Sequence, residues 1–277
     1  SGFITFILGD IADRNLVEEI VTREKIDSII NFAAETHVDR SISQATPFVL
    51  SNVLGVTNLL EVFRRFCHGT FIQVSTDEVY GSIEDGSWTE DEPLSPNSPY
   101  AASKASSDLM ALAFHRTFGL DIRITRCSNN YGPRQFPEKI IPLFISNLID
   151  GKKVPLYGDG KNVRDWIHVS DHCRAVNLVF RSGKPGEIYN IGGDSGLSNM
   201  NLTKKILAHF HLDDSQIKFV EDRKGHDFRY SVDSRKIRHE LGFLPKISFE
   251  EGLSSTISWY MENENWWRPL IGEVTGN

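Results

Sequence analysis

TFIQVSTDEVYG, residues 70–81, is a short apolar run that stops on three polar side chains, Thr76, Asp77 and Glu78, before a glycine. Its length and its β-branched and aromatic content read as a buried strand. Outward from it the same kind of run recurs. ITFIL (4–8), SIINFAA (28–34), DIRITRCSN (121–129) and EIYNIGG (187–193) are strand-like, and NLVEEIVTREK (15–25), PFVLSNVLGVTNLLEVFRRF (47–66) and PYAASKASSDLMALAFHRTF (99–118) are helix-like. Strands alternating with helices predict an α/β fold, a doubly wound parallel sheet covered by helices on both faces. Beyond residue 133 the alternation breaks up. IIPLFISNLIDG (140–151) and NLTKKILAHFHL (201–212) read as helices, and turn-rich segments such as YGDGKN (157–162) intervene, so a second, smaller domain is expected there.

In an open parallel sheet, ligands gather beyond the carboxyl ends of the strands. Three strands run into polar endings, AAETHVD (33–39), STDEVYG (75–81) and CSNNYG (127–132), which therefore converge. Asp77 and Glu78 are either a solvated acidic loop or two carboxyl groups that divide acid and base work. SPYAASKA (98–105) places Tyr100 and Lys104 one helical turn apart. Ser98 and Pro99 suit a helix start, which is one reading. In the other, the Lys104 ammonium favours the ionised form of Tyr100, which serves as a base. Ala33 and Ala34 either admit a planar cofactor or pack tightly. Asp10 either meets an adenine or ribose or caps a helix.

The chain has 277 residues, 40% of them hydrophobic, and a formal net charge of -7. It can bury a sizeable core, and its interspersed charges form no basic stripe for nucleic acid. No apolar run is read as membrane-spanning and no secretory signal pattern opens the chain, so a cytoplasmic protein is expected. Cys67, Cys127 and Cys173 are scattered and odd in number, which reads as reduced thiols.

NFAAETHVDRSI (31–42), STDEVYG, SPYAASKA, CSNNYGP (127–133), RDWIHVSDH (164–172), EIYNIGG and RKGHDFRYSVD (223–233) together resemble the dTDP-glucose 4,6-dehydratases of the extended short-chain dehydrogenase/reductase family, in the same order and from residue 3 to about residue 270. The Thr-Asp-Glu of STDEVYG is the discriminating piece, because the related epimerases, which eliminate no water, lack it. The resemblance implies a Rossmann-type NAD-binding domain over residues 1–133 with return segments at about 163–193, and a mainly nucleotide-sugar-binding domain over 134–277. It implies NAD as cofactor and dTDP-glucose as substrate. Tyr100 is then the base for the sugar 4-hydroxyl, supported by Lys104, and the ordinary tyrosine pKa of ~10 explains why a nearby cation is needed. Glu78 removes the C5 proton, Asp77 protonates the departing C6 hydroxyl, and Thr76 holds the 4-oxygen. Asp10, Ile11, Ala33, Ala34, Thr36 and Ser51 resemble NAD contacts, with Tyr100 and Lys104. Asn129, Lys139, Arg164, Asn199, Arg223 and His226 resemble substrate contacts, and the two guanidinium groups suit a diphosphate. His37 faces the substrate or braces its loop. The alternatives are a UDP-sugar epimerase or decarboxylase of the same family and an inactive nucleotide-sugar-binding remnant.

His168 and His172 stand four apart, as metal ligands can, but without the glutamate of a zinc hydrolase; Asp171 reads as a helix cap and no metal site is expected. GGDSG (192–196) is expected to be a plain turn, and WYMENENWW (259–267) the core packing of a terminal helix. A homodimer is expected through helices 47–66 and 99–118, as the family's four-helix interface implies. The sequence holds no G-x-x-G-x-x-G or G-x-G-x-x-G. A stretch of chain before Ser1, carrying two strands and a glycine-rich turn, is therefore expected in the complete protein. The alternative is a rearranged sheet in which ITFIL pairs directly with SIINFAA.

Overall fold

The structure is a computed structural model that describes residues 4–223 and 225–275, with side chains described up to residue 271. In chain order the elements are α1 (Arg14–Arg23), β1 (Ile29–Asn31), α2 (Val38–Ser43), α3 (Thr46–Phe48), a π-helical segment (Val49–Gly55), α4 (Val56–Phe66), β2 (Phe71–Thr76), a 3-10 turn (Asp77–Tyr80), α5 (Pro99–Phe118), β3 (Ile122–Cys127), β4 (Asn129–Tyr131), α6 (Ile140–Ile149), β5 (Val154–Tyr157), β6 (Val163–Arg164), β7 (Trp166–His168), α7 (Val169–Ser182), β8 (Ile188–Ile191), β9 (Leu197–Ser198), α8 (Asn199–His209), a second 3-10 turn (Asp214–Gln216), β10 (Ile217–Val220), α9 (Arg235–Leu241), α10 (Phe249–Glu262) and α11 (Glu264–Thr275). They divide into two compact units. The first comprises residues 1–81, 90–126 and 178–189; the second comprises 82–89, 127–177 and 190–277.

The first unit is built on a sheet of order β1-β2-β3-β8, in which β1 pairs parallel with β2. Each step from one strand to the next passes through a helix, the connection that parallel neighbours need. Val17, Val21, Leu59, Leu60, Val62, Phe63, Phe71, Ile122 and Ile124 form its core. Helix α5 opens as its sequence predicts: the Ser98 hydroxyl accepts the Ala101 N–H at 3.1 Å and Pro99 stands in the first turn. It closes on Gly119 at φ 68°, a left-handed cap that glycine adopts without Cβ strain.

One expectation fails in this unit and another is met with a local change of geometry. ITFIL forms no strand: residues 4–10 are irregular, and Ile4, Phe6 and Leu8 are 84%, 85% and 87% exposed. Alternating apolar residues make a strand only where a neighbour accepts their backbone, and β1 ends the sheet order with no strand among the described residues on its outer edge, so the rearranged pairing does not occur either. The helix expected over 47–66 starts at Thr46 and changes to π geometry over Val49–Gly55. By length and hydropathy, Thr46–Phe66 passes for a membrane span, a test that buried core helices also pass. It packs on α1 and α5, with half of it buried. Gly55 lies so close to the chain at Ile11 that a Cβ there would come within 2.6 Å of the Ile11 side chain.

In the second unit, Ile141, Phe144, Ile145, Trp166, Leu202, Ile206, Phe249, Leu253, Tyr260 and Trp267 make the core. Trp259 packs at its edge and Trp266 is partly exposed, so the terminal aromatic cluster is only partly core. Three two-stranded ladders frame it, β5–β10 and β4–β7 parallel and β6–β9 antiparallel. Residues 82–89 are tied in by Trp88 N–H to Ser231 O at 2.9 Å and Asp233 N–H to Trp88 O at 2.8 Å. The GGDSG turn is held by the buried Asp165 carboxylate, which accepts the N–H groups of Gly193 at 2.7 Å and Ser195 at 2.6 Å. That accounts for the turn as structure.

Candidate active site

The carboxyl end of β2 delivers Thr76, Asp77 and Glu78 into the 3-10 turn. The Thr76 hydroxyl caps the turn, accepting the Glu78 N–H at 3.3 Å, and approaches Asp77 Oδ1 at 3.3 Å. Asp77 is buried and Glu78 half-buried, so the two neighbouring carboxyl groups have different surroundings. That difference is what separate acid and base roles require. A solvated acidic loop would expose both.

Helix α5 packs against β2 and this turn. Tyr100 and Lys104 are both buried on it; Tyr100 lies edge-on to Phe48, with ring centroids 6.3 Å apart. Lys104 Nζ donates to the Val74 carbonyl at 2.7 Å, which fixes the ammonium beside the strand that ends in Thr76. Below these groups runs a buried polar chain: Asn31 Nδ2 donates to Gln73 Oε1 at 3.0 Å, and Gln73 Nε2 donates to Ser107 Oγ at 3.3 Å. Asn52, inside the π segment, donates to Ser103 Oγ at 2.8 Å and to the Glu35 carbonyl at 3.0 Å, and accepts the Glu35 N–H at 2.8 Å. It thus latches the segment after β1 to α5. The π geometry sits where this carboxamide is used, a common association of π turns with functional sites.

Asp10, Ile11, Ala33, Ala34, Thr36 and Ser51 all fall in the same unit. Asp10 accepts the Ala12 N–H at 2.8 Å and shapes the turn before α1, whose cap is Asp13. The Ala12 carbonyl accepts from Asn58 at 2.8 Å, docking this turn on α4. Ala33 is exposed and Ala34 half-buried beyond the end of β1, with no side chain past Cβ to obstruct a ring. Short side chains at a strand end, a tyrosine and a fixed ammonium fit the nicotinamide and ribose end of a dinucleotide. His37 braces its loop: it caps α2, its Nδ1 accepting the Arg40 N–H at 3.3 Å.

The six residues expected on the substrate side all fall in the second unit. Arg164, Arg223 and His226 come together. Burial lowers the His226 pKa, with the Arg223 and Arg164 charges acting the same way and the Asp222 hydrogen bond against them. His226 Nδ1 meets Asp222 Oδ1 at 2.6 Å, and the Arg164 guanidinium stacks 4.2 Å over the Tyr230 ring while donating to the Asp227 carbonyl at 2.9 Å. Two guanidinium groups beside an imidazole that Asp222 holds form a cluster suited to an anion. Asn199 opens α8, its N–H bonded at 2.9 Å to the carbonyl of Asn162, the residue just before the Arg164 strand. Asn129 begins β4, and Lys139 precedes α6 with its Nζ 3.8 Å from Glu138. Among the described residues no metal-like cluster of His, Cys, Asp and Glu forms. His172 is buried and pushed down to about 4, and His168 Nδ1 accepts the Ser170 N–H at 3.3 Å. Asp171 accepts from the Lys246 and Ile247 N–H groups at 2.8 and 2.9 Å, stapling a distant loop.

A sequence profile of the family described as GDP-mannose 4,6 dehydratase matches residues 1–256. The chain belongs to that family. Within it, the chain is 57% identical over 273 residues to a dTDP-glucose 4,6-dehydratase of Streptomyces antibioticus, a match that covers 99% of this chain and 81% of the relative. It is similar to the crystal structure of the dTDP-glucose 4,6-dehydratase of Streptomyces venezuelae with NAD bound, at 55% identity and TM-score 0.95, covering 98% of this chain and 83% of that one. A UDP-glucose 4-epimerase of Thermotoga maritima shares the fold at TM-score 0.89 and 30% identity, covering 94% of this chain and 85% of that one. The motif resemblance and the Rossmann-type fold are thereby shown. Reading the sequence alone overlooks a buried trio beside the acid turn, Tyr80, Asp108 and Arg126. The one visible signal for it is that Asp108 follows Lys104 by four residues, on the same helix face.

Proposed function

We propose that this protein dehydrates dTDP-glucose to dTDP-4-keto-6-deoxyglucose with NAD as its cofactor. The observation that carries this reading is the Lys104–Val74 bond, which joins the Tyr-x-x-x-Lys helix to the strand ending in Thr76-Asp77-Glu78. Oxidation and elimination groups are thus built onto one scaffold, and an epimerase has no use for the second set. Similarity to the Streptomyces dehydratases supports the same substrate.

Tyr100 takes the 4-hydroxyl proton as C4 is oxidised, and Thr76 hydrogen-bonds the resulting 4-oxygen. The new ketone makes the C5 hydrogen acidic. Glu78 takes that proton, and Asp77 gives one to the C6 hydroxyl, which leaves as water. When bound, NAD would supply a reversible hydride acceptor, so that the hydride lost from C4 is restored at C6 while a proton returns to C5, with no net redox change. Asn129, Lys139, Arg164, Asn199, Arg223 and His226 hold the nucleotide diphosphate, and Asp10, Ile11, Ala33, Ala34, Thr36 and Ser51 hold the cofactor with Tyr100 and Lys104. Incubation with dTDP-glucose should yield the alkaline absorbance of a 4-keto sugar nucleotide; conversion to an epimer without that absorbance would overturn the reading.

A homodimer belongs to the same proposal. Val49, Leu50 and Leu54 on the π segment are 52%, 50% and 44% exposed, and Leu109 on the adjoining α5 is 58% exposed. Apolar side chains on two packed helices suit a twofold contact with a second copy. The three cysteines are free, which supports a reducing, cytoplasmic setting.

A further inference from the structure

Arg126, near the end of β3, is 2% exposed, and Asp108, to which it is paired, is 0% exposed. A guanidinium is costly to bury unless each of its faces and forks is used. Here Nε donates to Asp108 Oδ2 at 2.9 Å, Nη1 donates to Tyr80 Oη at 2.8 Å, and the guanidinium carbon lies 4.7 Å from the Tyr80 ring centroid. The two partners come from the two catalytic segments. Asp108 lies four residues after Lys104 and eight after Tyr100 on α5, so all three share one helix face. Tyr80 is the last residue of the 3-10 turn that begins with Asp77 and Glu78. Burial raises the Asp108 pKa; the Arg126 and Lys104 charges and the hydroxyl of Ser75, the residue before Thr76, act against it and favour the ionised form.

A buried ion pair adds little net stability compared with apolar side chains of the same volume. What it adds is orientation: a fork with fixed directions holds a phenol and a carboxylate at set positions. We propose that Arg126 and Asp108 are positioning residues, which hold the Asp77–Glu78 turn, through Tyr80, in register with the Tyr100–Lys104 face of α5. This proposal rests on the dehydratase reading. The acid pair must reach C5 and C6 of a sugar whose C4 is already placed by Tyr100, so a small rotation of the turn misaligns elimination while oxidation goes on.

The test uses the full-length holoenzyme and dTDP-glucose. Tyr80→Phe removes only the phenol oxygen, and Arg126→Lys keeps the charge but loses the fork. Both variants should fold, with KM close to wild type and nicotinamide reduction within a few-fold. Elimination, read as release of the C5 hydrogen to solvent and as 4-keto product, should fall ~10- to 100-fold, the scale of a small misplacement of reacting groups. Reduced nicotinamide should accumulate. Tyr80→Phe should add nothing in an Asp77→Asn, Glu78→Gln background, because it acts through those two residues. Wild-type rates of elimination in Tyr80→Phe, or the same fractional loss with and without the acid pair, overturn the positioning role. A wild-type enzyme that makes no 4-keto product from dTDP-glucose overturns the dehydratase reading itself, and this proposal with it.

Discussion

The ammonium of Lys104 donates to the carbonyl of Val74 at 2.7 Å, two residues before Thr76. That bond holds the lysine nitrogen in place beside the end of the strand. Tyr100→Phe should retain the fold, since the ring still packs on Phe48, and should lose ~10²–10⁴ in the rate of nicotinamide reduction. Lys104→Met should lose a comparable factor. Single-turnover absorbance of reduced nicotinamide reads both, and a Tyr100→Phe rate within a few-fold of wild type would return the motif to a helix start.

The acid pair should act only after oxidation. Glu78→Gln and Asp77→Asn keep the shape of the turn and leave the Lys104–Val74 bond untouched. Each should slow water elimination ~10²-fold or more while hydride still leaves C4, so that reduced cofactor builds up after mixing with substrate. Turnover at the wild-type rate in both variants would remove these residues from the chemistry.

Much of this was legible because it is local. The Ser98 cap, the Tyr100–Lys104 spacing and the strand-then-acid pattern at 70–81 each depend on residues within one turn or one strand. The Arg126 contacts were not legible, since they join positions 18 and 46 residues apart and Arg126 reads as an ordinary polar residue in a strand. Asn52 was hidden in the same way, 51 residues from Ser103, and with it the π turn. ITFIL shows the converse limit: its alternation is that of a strand, but a strand also needs a partner's backbone, about which its own residues say nothing. The substrate-side residues were found by motif; the meeting of Arg164 and Arg223 at His226 required the structure.

Association should depend on the exposed apolar stripe. Leu54→Glu with Leu109→Glu places charges on the two packed helices at positions 44% and 58% exposed, where the isolated fold tolerates them. Light scattering at micromolar concentration should show a dimer for the wild type and a monomer for the double variant. A wild-type monomer mass would count against the interface.

Acid should weaken the second unit through His172. Burial holds its pKa at about 4, below the ordinary histidine value of 6.5, so the folded state keeps a neutral imidazole. The unfolded chain takes up a proton below 6.5 that the folded chain refuses. Stability from this group is therefore full above that value and falls as pH drops towards 4, by about 2 kcal/mol between neutral pH and pH 5. His168 and His226 are lowered for the same first reason, burial, and add to the slope. His172→Phe removes the titration and keeps an aromatic ring at a buried position. The loss in urea midpoint from pH 7 to pH 5 should be smaller in this variant than in the wild type, whatever the variant costs at neutral pH. Equal losses in the two proteins would mean that His172 is protonated in the folded state, or that its burial does not persist in solution.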